Sequence, residues 1–113
     1  MKRSKQQLKE YILYDLKNHK GLMNASGEAM TFKMKELAER WDTTTRAIRE
    51  AINSLRVDDN QPICGDNTGY YFPVYKSEWE HTSNRLKAQA KSLFEAAAGG
   101  DKYYEEDNQG QLF

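Results

Sequence analysis

The sequence predicts a mainly α fold with a small β element (α+β): several helices, one β-hairpin, a long C-terminal helix and a disordered tail. Three observations predict it. Residues 37–56 read LAERWDTTTRAIREAINSLR, two helical stripes separated by a tight turn. Residues 63–72, ICGDNTGYYF, place a Gly-containing polar turn between two short apolar runs, as a hairpin does. Residues 77–98 keep one apolar stripe for about six helical turns and then meet two glycines.

In residues 37–56 the first helix carries Leu37, Ala38 and Trp41 on one side, and Trp41 is expected in the core. The turn falls at Asp42 and Thr43. Thr44 then offers a hydroxyl to the free N–H groups of a second helix, the work of an N-cap. That helix puts Ile48, Ala51, Ile52 and Leu55 on its inner face. Its outer face shows Thr45, Arg46, Arg49, Glu50 and Asn53. Two short helices joined by a tight turn form a helix-turn-helix, whose second helix enters the DNA major groove where the unit binds DNA.

These residues resemble the helix-turn-helix of bacterial and phage winged-helix regulators of the biotin-repressor type, and PICGDNTGYYF is similar to their two-stranded wing. The resemblance covers roughly residues 30–74 of the chain. It departs at Asp42, where the turn glycine usually stands, and at Thr43, where a small aliphatic is usual. Asp tolerates the left-handed conformation better than most residues, so the turn survives the first change. The resemblance implies a winged helix-turn-helix that binds double-stranded DNA. Thr44, Thr45, Arg46, Arg49 and Asn53 are then the contacts from the recognition helix. Asn67 and Lys76 are expected to add backbone contacts from the region of the wing.

Charge is consistent with a modest nucleic-acid binder rather than a basic coating protein. The chain has 113 residues, 17 basic and 17 acidic, for a net charge of zero. Asp101, Glu105, Glu106 and Asp107 outweigh Lys102 by three, so the rest of the chain is +3. The length suits one small domain, residues 1–98, and a flexible acidic tail, residues 99–113. Cys64 is the single cysteine, which excludes an internal disulfide and suits a reducing cytoplasm. In a short strand it is expected to be a small buried hydrophobe. No apolar run spans a membrane, and no secretory signal follows Lys2 and Arg3.

The remaining elements follow in order. Residues 4–19 form an amphipathic helix with Leu8, Ile12, Leu16 and His19 on one stripe and Tyr11 and Leu13 beside it. His19 is expected to serve the last carbonyls of that helix. Gly21, Asn24, Ser26 and Gly27 break the chain into a loop over residues 21–29. Residues 30–32 then make a short strand that joins the hairpin. The helix from about residue 33 has Thr31 as its candidate cap. Asp58, Asp59 and Asn60 end the recognition helix, and Pro62 prevents its return. In the hairpin, Gly69 is free to take a positive φ. Tyr70 and Phe72 share one face and Tyr71 takes the other. These aromatics suit sheet packing, and a tyrosine meeting the sugar-phosphate backbone is the functional alternative.

Ser77 with Glu80 reads as a capping box for the last helix. Trp79, Ser83, Leu86, Ala90, Leu93 and Ala97 form its stripe, with Phe94 beside it. The stripe either packs across the first helix or forms a homodimer contact through residues 77–98. Gly99 and Gly100 are expected to stop the helix and release the tail. The tail closes on Gln109, Gly110, Gln111, Leu112 and Phe113, which resembles the peptide that docks on the bacterial sliding clamp. There a Gln amide makes directed hydrogen bonds while adjacent Leu and Phe enter an apolar pocket. Three specified residues match a random window roughly once in several thousand, so the match carries weight. Gln109, Leu112 and Phe113 are therefore the candidate clamp contacts.

Catalysis finds no support. His19 and His81 are isolated, no metal-ligand spacing occurs, and there is no Gly-rich phosphate loop, so no catalytic residue, metal or cofactor is expected. The leading expectation is a non-enzymatic, replication-associated DNA-binding protein of a phage or mobile element that engages the host clamp. The alternative is a small winged-helix transcriptional regulator. A clamp-directed inhibitor whose winged helix binds protein comes third.

Overall fold

The order of elements in the computed structural model, which describes residues 4–23, 27 and 30–107, is α1 (Lys5–Asn18), α2 (Met34–Arg40), α3 (Thr45–Val57), β1 (Cys64–Asp66), β2 (Gly69–Tyr71) and α4 (Lys76–Asp107). It is mainly helical, with one two-stranded antiparallel sheet and a long C-terminal helix, as the α+β class requires. The chain divides into two compact units, residues 1–82 and 83–113.

The first unit is built on α3. Ser4 caps α1 reciprocally: its hydroxyl accepts from Gln7 N–H at 3.1 Å, and the Gln7 amide oxygen accepts from Ser4 N–H at 3.0 Å. Leu8, Ile12 and Leu16 of α1 are buried with Leu37 and Ala38 of α2 and Ile48, Ala51, Ile52 and Leu55 of α3. Ile63, just before β1, completes this core. Each of these stripes follows the helical period, and fully burying an Ile or Leu side chain contributes roughly 1.5–3 kcal/mol. Lys9 is buried beside the stripe and meets Asp59, beyond the end of α3, at 2.9 Å. His19 caps α1 with Nδ1 2.8 Å from the Asp15 carbonyl, the role expected of it.

The hairpin pairs Cys64 with Tyr71, Gly65 with Tyr70 and Asp66 with Gly69. Asp66 closes the turn, its Oδ1 accepting from Thr68 N–H at 2.7 Å and Gly69 N–H at 3.2 Å. Of the strand expected at residues 30–32, one residue pairs: Phe32 exchanges two backbone hydrogen bonds of 2.8 Å with Tyr70. Gly69 has φ +141°, and a Cβ there would stand 2.6 Å from the Phe32 carbonyl oxygen. Tyr70 and Phe72 pack against the core, which favours the sheet-packing reading of that face. Asn24 and Ser26 of the expected loop lie outside the described residues.

Three boundaries differ from the sequence reading. Thr31 does not cap α2; its hydroxyl donates to the Thr68 carbonyl at 3.0 Å, and Lys33 is the N-cap, its N–H held by Glu36 at 2.7 Å. Ser77 does not cap α4. That helix already begins at Lys76, and Glu78 accepts from Val74 and Tyr75 N–H, each at 2.8 Å. A carboxylate that reaches two backbone donors ahead of the helix outcompetes a hydroxyl that lies two residues too late. Finally, α4 does not stop at Ala98 but continues through Gly99 and Gly100 to Asp107. Neither glycine takes a positive φ, so no left-handed cap forms there. Ala96, Ala97 and Ala98 are strong helix formers and carry the helix across the pair.

In the second unit every residue from Lys87 to Glu105 is exposed, Leu93 and Phe94 among them.

Candidate nucleic-acid interface

The connection from α2 to α3 is fixed at both ends. Trp41 is the C-cap of α2, and Asp42 follows with φ +49°. Thr43 N–H returns to the Ala38 carbonyl at 2.9 Å, closing the helix end through a left-handed residue as glycine usually does. Thr44 then caps α3, its hydroxyl accepting from Ala47 N–H at 3.1 Å. The two departures from the usual pattern, Asp42 and Thr43, leave this turn intact.

A buried acid secures the elbow from behind. Asp15 of α1 is 1% exposed. It accepts from Arg40 Nε at 2.8 Å, Arg40 Nη2 at 3.0 Å and Trp41 Nε1 at 2.7 Å. The Trp41 ring also stacks on Tyr11 with centroids 4.7 Å apart. The end of α2 is thus tied to α1 by a fork-shaped ion pair, an indole donor and a ring stack. The sequence did signal this residue: Asp15 lies three positions after Ile12 and seven after Leu8, on the apolar stripe. An acid there needs buried partners, and their identity required the fold.

With the elbow fixed, Thr44, Thr45, Arg46, Arg49 and Asn53 are all exposed on α3. Arg46 lies 4.0 Å from Glu50 in an exposed i,i+4 pair, a contact too weak to withhold it from another partner. Arg49 and Asn53 line a groove with Arg56 of α3 and Tyr70 of the hairpin. Asn67, in the hairpin turn, and Lys76, the first residue of α4, are exposed but do not line that groove.

Arg56 was not among the expected site residues. Its Nε donates to the Ile63 carbonyl at 2.9 Å and its guanidinium centre stands 5.9 Å from the Tyr70 ring centroid. It fastens the end of α3 to the hairpin and so positions the groove. Spacing alone could not separate it from Arg46 and Arg49, because the hairpin that engages it comes later in the chain.

On β1 of the hairpin, Cys64 is fully buried, as expected. Burial pushes its thiol pKa up, the effect partly opposed by a side-chain hydrogen bond with Thr82. Tyr71, which faces Cys64, is raised as well, chiefly by desolvation. Both groups stay neutral near pH 7. Among the described residues no group of three or more His, Cys, Asp or Glu side chains could hold a metal ion. No described helix is long and apolar enough to cross a membrane. Gln109, Leu112 and Phe113 lie outside the described residues. No family model, curated protein or solved structure matches this chain.

Proposed function

We propose that the chain is a non-enzymatic winged helix-turn-helix protein that binds duplex DNA through α3 and carries a peptide for a bacterial sliding clamp. The observation that carries the DNA reading is the exposed polar face of α3, held between a capped elbow and a hairpin. Arg46 and Arg49 are its long-reach donors toward base edges and phosphates. Thr44, Thr45 and Asn53 supply shorter contacts. Asn67 and Lys76 meet the backbone outside the groove.

The double change Arg46→Ala with Arg49→Ala is expected to weaken duplex binding about tenfold or more, given the usual worth of an arginine–base or arginine–phosphate contact. Both side chains are exposed, so folding should be unaffected. Part of the loss should appear as a shallower dependence of affinity on salt, because fewer counterions are released. An unchanged titration would remove α3 as the DNA surface.

The clamp reading rests on Gln109, Leu112 and Phe113. Leu and Phe contribute roughly 1.5–3 kcal/mol each when fully buried. Association costs several kcal/mol, so the peptide should bind weakly by itself. Linkage to DNA then raises its local concentration. The stretch expected to be a flexible linker from Gly99 onward is helical as far as Asp107. Leu112→Ala with Phe113→Ala should abolish clamp binding and leave DNA binding intact, read by calorimetric titration into purified clamp. If the unaltered chain gives no heat, the clamp role fails and a transcriptional regulator becomes the better reading.

A further inference from the structure

On the outer part of α4, Leu86, Ala90, Leu93, Ala97, Gly100 and Tyr104 recur at alternating steps of four and three residues. That is the seam of a heptad repeat, and it runs about 27 Å along the helix. Leu93 is 72% exposed, Phe94 beside it 79% and Tyr104 76%. Among the described residues no atom lies within 4 Å of where a methyl group added at Gly100 would stand. Glycine is among the weakest helix formers, so its presence on the seam suits a closely approaching helix.

We propose that a second copy of this chain covers this seam, with the two helices antiparallel. The pattern of large and small residues selects that orientation. An antiparallel pair sets Leu93 against the partner's Ala97, Leu86 against the partner's Tyr104 and Ala90 against the partner's Gly100. At the centre of the contact a large side chain then meets a small one, Leu93 on the partner's Ala97 and, by symmetry, Ala97 on the partner's Leu93. A parallel pair would instead stack leucine on leucine at position 93 and alanine on alanine at position 97.

The flanking charges select the same orientation. In the antiparallel register Lys87 lies opposite the partner's Asp101, and symmetry repeats the pair at the other end. Phe94 meets the partner's Phe94 on the two-fold axis. In a parallel pair Lys87 would face the partner's Thr82 and Asp101 the partner's Ala96, with no ion pair formed. The contact is isologous and closes at two copies.

Sedimentation of the full chain from low micromolar to near-millimolar concentration tests the proposal. A reversible monomer–dimer equilibrium is expected. Leu93→Glu should leave a monomer with unchanged helical circular dichroism, because the side chain is exposed in the single chain. Lys87→Glu or Asp101→Lys should each weaken the dimer several-fold, since each converts two attractive pairs into two repulsive ones. The combination should restore it. A chain that stays monomeric throughout, or a dimer that survives Leu93→Glu, would overturn the proposal. A dimer lost with Leu93→Glu but not restored by the double charge reversal would overturn the antiparallel register.

Discussion

Replacing Asp15 with alanine should lower the stability of the first unit by about 3 kcal/mol. Removing one member of a buried ion pair generally costs roughly 3–5 kcal/mol. The low end applies because the Arg40 side chain is half exposed and can regain water. The Trp41 indole N–H is harder to compensate, since the ring is held against Tyr11 at 4.7 Å. Asp15→Asn keeps an acceptor for that N–H while removing the charge, so an intermediate loss is expected. Urea unfolding followed by circular dichroism reads both variants, and for a unit of this size 3 kcal/mol corresponds to a drop of more than about 10 °C in Tm. A loss below about 1 kcal/mol for the alanine variant would mean that the elbow finds other support.

Gly69→Ala should be comparably damaging through a different cause. The φ of +141° strains any L side chain, and the new Cβ would lie 2.6 Å from the Phe32 oxygen and 2.7 Å from its carbonyl carbon. Neither backbone can move without breaking the Phe32–Tyr70 bridge and its two 2.8 Å hydrogen bonds. Backbone strain of roughly 1–3 kcal/mol and about 1 kcal/mol per lost hydrogen bond together predict a loss of about 3–5 kcal/mol. Gly99→Ala is the control. It lies in a helix, where a Cβ meets nothing within 4 Å, and should be neutral or stabilising by up to about 1 kcal/mol. Equal effects of the two substitutions would contradict this account of Gly69.

Local periodicity made α1 and α3 legible from the chain. The spacing of Leu8, Ile12 and Leu16, and of Ile48, Ala51, Ile52 and Leu55, gave the buried faces because a helix maps sequence directly onto sides. Thr44 was legible because a cap acts on its own helix, and Gly69 because its turn is local. The exposed face of α3 was readable as the complement of the buried one. What sequence could not supply was partnership across the fold. Asp15 with Arg40 and Trp41, Lys9 with Asp59 and Arg56 with the Ile63 carbonyl each join residues that no single helix or strand holds together. The end of α4 was missed for a further reason. A glycine pair stops a helix only if the chain can take a left-handed cap there, and three preceding alanines favour continuation.

Cys64 gives the first unit an internal clock. It is the single cysteine of the sequence, fully buried on strand β1 beside Thr82, with a thiol pKa raised by burial. A soluble alkylating reagent cannot reach it while the hairpin is seated. With reagent dilute enough that the hairpin recloses faster than the thiol reacts, the ratio of its modification rate to that of a free thiol gives the free energy of opening; with reagent in excess, the rate counts the openings themselves.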